Sequence, residues 1–413
     1  MKRLISKLIH GQITDKPKDP YRSLKMPVYE AASYDFENSQ ALEEAFMGTR
    51  DAFVYSRSAN PTVAELQNRM ILFSGANECL CLSSGMAAIS TVILSICNQG
   101  DNIISSKFLF GNTYSLFAKT LSAVGIETRF TNLDNIEEIE NKTDGKTRAV
   151  FIEMLTNPQL IIFDIRKISA LAAKHNLLLI VDNTILTPYV FRCADYGVDI
   201  EIASTTKFIS GGATSIGGAV MIYNSDKWRS IPKLAPEFEK YGKQAMIKKM
   251  AREVYRNIGC CLSPNNAYLQ LLGLETITLR IDKICDNTLQ IANYLKNHPK
   301  IDKLDYPSLE SSKYYILAKE LFGLKSGPLI NIELKSKSDC YRFMDNLKMI
   351  RRGTNFCDNK SMIIHPHSTI YCEFTEAEKE EMLVNSRMMR FSVGLEDVND
   401  IIDDLEQALT AID

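Results

Sequence analysis

"LLLIVDNTILTPYVFRCADYGVDIEIASTTKF" spans residues 177–208 and contains two apolar runs of strand length, "LLLIVD" (177–182) and "DIEIAS" (199–204). Asp182 closes the first run, and Ser204, Thr206 and Lys207 close the second. A continuous apolar run this short reads as a strand covered on both faces. Just upstream, "DIRKISALAAKHN" (164–176) offers Asp164 as a helix N-cap, with Ile165, Ile168, Leu171 and Ala172 at helical spacing. An alternation of strands and helices predicts parallel pairing with helices on the faces of the sheet.

The same alternation extends from about residue 62 to 225, where "DNIISS" (101–106), "RAVFIEM" (148–154) and "GGAVMIY" (217–223) are further strands. The first sixty residues are polar and turn-rich, with Pro17, Pro20 and Pro27, and read as an extended arm that wraps a neighbour. The segment 236–258 reads as a helix whose lysines and arginines form a solvated face. From about 260 the texture changes. A long helix is expected around 269–298, strands at "PLINIEL" (328–334) and "MRFSVGL" (389–395), and a closing helix over 398–412. The expected division is an arm (1–61), a large domain (62–258) and a smaller α+β C-terminal domain (259–413).

The 413 residues, 45% hydrophobic and 24% charged, describe an ordinary globular chain. A net charge of −2 supplies no general attraction for nucleic acid or an anionic membrane, and no apolar stretch is long enough to span a bilayer. The ten cysteines include no CxxC spacing, which points to free thiols in a reducing compartment; a cytoplasmic protein is expected. The five histidines are scattered, only His365 and His367 lie close together, and no metal set is expected.

Open α/β sheets bind ligands at the carboxyl ends of their strands, so Asp182 and Lys207 are delivered to one rim. Each also has a plainer use, as a turn or N-cap aspartate and as a surface lysine. "CLSSGMAAISTVILSIC" (81–97) places a small-residue turn before a helical segment, where Ser84, Gly85 and Met86 would line an anion site at a helix N-terminus. Pyridoxal 5′-phosphate (PLP) uses all three features at once. Lys207 would hold its aldehyde, Asp182 would oppose its ring nitrogen, and Ser204 and Thr206 would bind phosphate oxygens.

The chain resembles the Cys/Met-metabolism family of PLP enzymes, the cystathionine γ-synthase-like group. The matching segments are "PVYEAASYDF" (27–36), "YSRSANPT" (55–62), "SSGMAA" (83–88), "FGNTYSLF" (110–117), "EMLTNP" (153–158), "VDNT" (181–184), "STTKF" (204–208), "GLETITLR" (273–280), "IIHPHSTI" (363–370) and "RFSVGLED" (390–397). The resemblance implies an aspartate-aminotransferase-like fold, PLP fold type I, with a mostly parallel seven-stranded sheet. It implies that Lys207 forms the Schiff base and moves protons, that Asp182 pairs with the ring nitrogen, and that Asn157 lies near the cofactor's phenolic oxygen. Phosphate contacts would come from Gly85, Met86, Ser204 and Thr206, and from Tyr55 and Arg57 of a second subunit. Arg390 would grip the substrate carboxylate, and a homodimer or homotetramer with shared active sites is expected.

Several positions depart from the family pattern. Phe110 stands where a ring-stacking tyrosine is usual; it can stack but cannot move a proton, which leaves Tyr55 or Lys207 to serve the leaving group. Asn112 replaces a cysteine common among methionine γ-lyases, and Ala203 replaces a histidine. "TNFCDNKSMIIHPHSTIY" (354–371) carries Asn355 where serine is usual and is similar to the corresponding stretch of O-acetylhomoserine sulfhydrylases. The function expected is γ-replacement on O-acetyl-L-homoserine with sulfide or methanethiol. The alternatives are a methionine γ-lyase or a cystathionine lyase or synthase, and a PLP-binding regulator without turnover.

Overall fold

The computed structural model describes residues 4–11 and 19–412. Seven strands form the large sheet: β1 (Glu78–Leu82), β2 (Asn102–Ser105), β3 (Glu127–Phe130), β4 (Thr147–Glu153), β5 (Leu178–Asp182), β6 (Ile200–Ala203) and β7 (Gly218–Ile222). Their order is β1-β7-β6-β5-β4-β2-β3, and only β7 runs against the rest. The runs read from the sequence at 177–182 and 199–204 are adjacent and parallel, with Ile180 opposite Ile200 and Asp182 opposite Ile202. Both faces are covered. Val150, Ile152, Leu179 and Val181 enter one apolar cluster, whereas Ala149, Phe151, Leu178 and Ile180 enter the other. This two-sided burial is why these strands are continuously apolar instead of alternating.

The Ile165–Lys174 helix begins at the expected cap, with Asp164 accepting from the Arg166 N–H. β1 and β3 were not read from the sequence. The arm is not wholly extended, because Leu4–His10 and Ser39–Met47 are helical; prolines 17 and 20 fall respectively outside and inside the described residues. The basic stretch is a broken series of helical turns from Ala235 to Ile258.

A smaller sheet of β8 (Lys303–Asp305), β9 (Leu329–Glu333), β10 (Arg351–Arg352), β11 (Met362–Ile364) and β12 (Met388–Ser392) has the order β10-β11-β12-β9-β8. Its own core gathers Ile330, Ile332, Met389, Phe391, Ile401 and Leu405. The helix expected over 269–298 is two helices, Pro264–Glu275 and Ile277–Leu295, broken at Thr276. The first of them presses on the turn after Lys207: a Cβ on Gly273 would lie 2.2 Å from the Ile209 carbonyl oxygen. Arg280 fixes the contact by donating to the carbonyls of Phe208 (2.8 Å) and Gly273 (2.6 Å). A glycine and a buried arginine thus hold the lysine-bearing turn against the scaffold.

One strand carries a carboxylate through the core. Glu201 in β6 is fully buried and accepts from Asn183 Nδ2 (2.7 Å) and the Tyr223 hydroxyl (2.6 Å). Burial pushes its pKa up to about 7, against the opposing effect of the hydrogen bonds from Tyr223 and Asn183. Between its ordinary value near 4.5 and about 7 the folded chain binds more protons than the unfolded one. The contribution to stability is therefore fully present below about 4.5 and lost as pH rises through about 7. Glu201→Gln is expected to flatten this slope, so that the variant's melting temperature gains on the wild type's between pH 5 and pH 8 in paired calorimetric scans.

Candidate active site

The carboxyl ends of β4, β5 and β6 and the turn after β1 meet at one rim. There a cavity of about 190 Å³ is lined by Ser84, Gly85, Met86, Phe110, Asn157, Asp182, Ser204, Thr206 and Lys207, among others. Nine residues singled out from four separate stretches of sequence thus share one wall. The approach of these stretches is close: a Cβ on Gly85 would lie 2.8 Å from the Ser204 Cβ, and one on Gly218 would lie 2.1 Å from the Ser84 carbonyl oxygen. Only glycine fits either place.

Ser84 caps the Gly85–Ile96 helix by accepting from the Ala87 N–H at 3.0 Å. The N–H groups at the very start of a helix have no intrahelical acceptor, which leaves this end suited to an anion. Thr206 reaches the same wall, although its hydroxyl also exchanges hydrogen bonds with Gly217, accepting from its N–H and donating to its carbonyl. Asp182 accepts from the Thr184 N–H (2.9 Å), and the Thr184 hydroxyl in turn accepts from the Ser204 N–H (2.8 Å). The ends of β5 and β6 are tied together by that chain. Burial raises the Asp182 pKa, against the Thr184 hydrogen bonds, so the carboxylate gains from any cation placed before it.

Lys207 lies in the half-buried turn that follows β6, and burial brings its pKa down to about 8. Its Nζ donates to Asn355 Oδ1 at 2.6 Å, and Asn355 Nδ2 donates to Asp358 at 3.1 Å. Asn355 thus reaches the amine across 148 residues of sequence. An amine lowered to about 8 is about one-tenth unprotonated at pH 7, enough to act as a nucleophile or base.

The structure keeps three other expected residues apart from this wall. Tyr55 is 44% exposed, and Arg57 Nη1 donates to the Arg256 carbonyl at 2.7 Å; neither lines the chain's own cavity. Arg390, in β12, is buried behind it. Its Nη1 donates to Asn157 Oδ1 (3.1 Å) and its Nη2 to the carbonyls of Thr354 (2.8 Å) and Asn355 (3.1 Å), while its Nε has no partner.

Several wall residues were not singled out from the sequence, and two of them matter most to the site. Glu153, opposite Asp182 in the β4–β5 register, accepts from the N–H groups of Phe110 (2.7 Å) and Asn157 (3.3 Å). Burial, and next the charge of Asp182, hold its carboxyl well above the usual range. Its signal was available, since it ends a strand in the same way as Asp182. Phe356 is the other, an apolar residue between Asn355 and Cys357 with no pattern to mark it. Among the histidines, His365 is fully engaged, with Nδ1 at 2.7 Å from the Ser368 hydroxyl and Nε2 at 2.9 Å from the Ser386 carbonyl.

An amine, a strand-end carboxylate, an aromatic face and a glycine-bounded helix start in one cavity fit the donor and acceptor set of PLP. The comparisons agree. The family described as Cys/Met metabolism PLP-dependent enzymes matches residues 6–410. Homocysteine/cysteine synthase of Saccharomyces cerevisiae is 32% identical over 98% of this chain and 97% of its own length. L-methionine gamma-lyase of Fusobacterium nucleatum subsp. nucleatum is 33% identical over 96% and 95%. A crystal structure from Campylobacter jejuni, assigned to O-acetylhomoserine (thiol)-lyase and carrying N′-pyridoxyl-lysine-5′-monophosphate, superposes with a TM-score of 0.92 at 32% identity, covering 98% of this chain and 99% of that one. The fold expected from the sequence is borne out, and the chain belongs to the Cys/Met-metabolism family of PLP-dependent enzymes.

Proposed function

We propose that this enzyme performs γ-replacement on O-acetyl-L-homoserine, exchanging acetate for sulfide or methanethiol to give homocysteine or methionine. The observation that carries the choice is the hydrogen bond from Lys207 Nζ to Asn355, because Asn355 belongs to the stretch that is similar to O-acetylhomoserine sulfhydrylases. The names of the yeast and Campylobacter proteins support it. PLP, held by Lys207, would supply an electron sink for negative charge developing on the substrate's carbons.

The chain's own residues divide the remaining work. Asp182 would keep the ring nitrogen protonated, and the Gly85 helix start with Ser204 and Thr206 would hold the phosphate. Lys207, once free, would take the Cα proton and return it, with its unprotonated fraction set by burial and its direction by Asn355. Glu153 would position Phe110 and Asn157 through their N–H groups. Arg390 would receive the substrate carboxylate.

Tyr55 and Arg57 would complete a site of another copy of this chain, and a homodimer or homotetramer is the form we propose. Support comes from their absence from their own chain's cavity and from exposed apolar side chains in the same region, including Tyr21, Leu24, Phe46 and Met47. A cytoplasmic location fits the ten free cysteines.

Methionine γ-elimination is the second reading, favoured by the Fusobacterium relative, which is as similar as the synthases. Assay of the purified holoenzyme separates them. Acetate release from O-acetylhomoserine that requires a thiol is expected. Ammonia and 2-oxobutyrate released from methionine at a comparable rate would replace this reading with the lyase, and turnover in neither assay would leave a binding protein.

A further inference from the structure

Arg390 does not reach the cavity that it is expected to serve. The ring of Phe356 lines the cavity and touches both cations, with Lys207 Nζ 4.2 Å and Arg390 Cζ 5.1 Å from its centroid. The ring is only 6% exposed and is packed against the core cluster of the large sheet. It therefore contacts one buried and one half-buried cation, an arrangement in which desolvation strengthens the attraction to a π face. Behind it, the Arg390 guanidinium has spent both terminal nitrogens on Asn157, Thr354 and Asn355 and keeps an unpartnered Nε. A buried donor without an acceptor is costly, and an incoming carboxylate would relieve that cost.

We propose that Phe356 gates the carboxylate seat of this site: its ring lies against both Lys207 and Arg390 and must give way before the α-carboxylate of a ligand can reach the guanidinium. The inference rests on the amino-acid substrate reading above. A carboxylate can displace the ring because a charge-assisted, two-pronged contact with a guanidinium is stronger than a cation–π contact. A simple amine can approach Lys207 from the cavity side but has nothing with which to move the ring. The ring thus weakens amino-acid binding by the cost of its displacement and leaves the binding of simple amines untouched. No other residue of the wall touches both cations in this way among the described residues.

The test uses the PLP-loaded enzyme and two ligands that lack a leaving group, L-alanine and its carboxylate-free analogue ethylamine. Binding is read from the cofactor absorbance and, independently, from the ligand-induced rise in melting temperature. In Phe356→Leu, which keeps an apolar side chain, the apparent Kd for alanine is expected to fall about fivefold while that for ethylamine stays within about twofold. Phe356→Tyr keeps the π face and is expected to match the wild type, which separates the ring's role from mere packing. The proposal is overturned if alanine binding is unchanged or weakened in Phe356→Leu, since the ring would then be a bystander or a contact of the bound ligand. An equal shift for both ligands overturns it as well. Failure of the wild type to bind either ligand would remove the amino-acid reading and the gate together, whereas a bound alanine insensitive to Phe356 removes the gate alone.

Discussion

Lys207→Ala is expected to lower thiol-dependent acetate release by at least about 10³-fold, a barrier increase of about 4 kcal/mol. One side chain would perform two tasks, holding the cofactor and moving the proton, and alanine removes both. The fold should survive. Burying this amine lowers its pKa from the ordinary 10.5 to about 8, so between those values the unfolded chain binds more protons than the folded apoprotein. Stability then rises with pH across the window, and the penalty is complete below about 8. The apoprotein of Lys207→Ala should therefore melt no lower than wild type at pH 7 and lose the rise between pH 8 and 10. Borohydride reduction and peptide mapping give a check apart from turnover: a pyridoxyl group on position 207 of the wild type and none in the variant. Its absence from the loaded wild type would remove the basis of the proposed mechanism.

Asp182→Asn is expected to reduce turnover by about 10²–10³-fold, or about 3–4 kcal/mol, comparable with removing a preorganised group from the reacting charge. The substitution is informative because it preserves shape. Asp182 Oδ1 accepts the Thr184 N–H, and an asparagine oxygen can do the same, so the link through Thr184 to Ser204 is retained. What is lost is the negative charge that would keep the ring nitrogen protonated. Weaker cofactor retention should accompany the loss, measured by fluorescence during dialysis. A variant with undiminished turnover would show that another group, with Glu153 the nearest carboxylate in register, opposes the ring.

Where the sequence was read incorrectly, the reasons lie in contacts between distant segments. The 269–298 stretch has helical spacing throughout, yet it breaks at Thr276, where Gly273 must approach the Ile209 carbonyl and Arg280 must reach Phe208. Periodicity carries no record of such an approach. The arm's helices were hidden by its prolines and polar turns. Glu153 was legible in principle, as a carboxylate at a strand end; its role in holding the Phe110 and Asn157 N–H groups was not.

By itself the sequence determined the layered α/β fold, the delivery of two strand ends to one ligand rim, and the presence there of Lys207, Asp182 and the Gly85 helix start. These features are local: strand runs, a cap, a turn and the polarity at a strand's end are written within a few residues of one another. The tertiary structure alone decided that Asn355 receives the lysine amine, that Gly273 and Arg280 brace its turn, and that Phe356 lies against both Lys207 and Arg390. Each of these pairs residues more than 30 positions apart, and their contact depends on how the segments pack, not on any pattern carried by either partner.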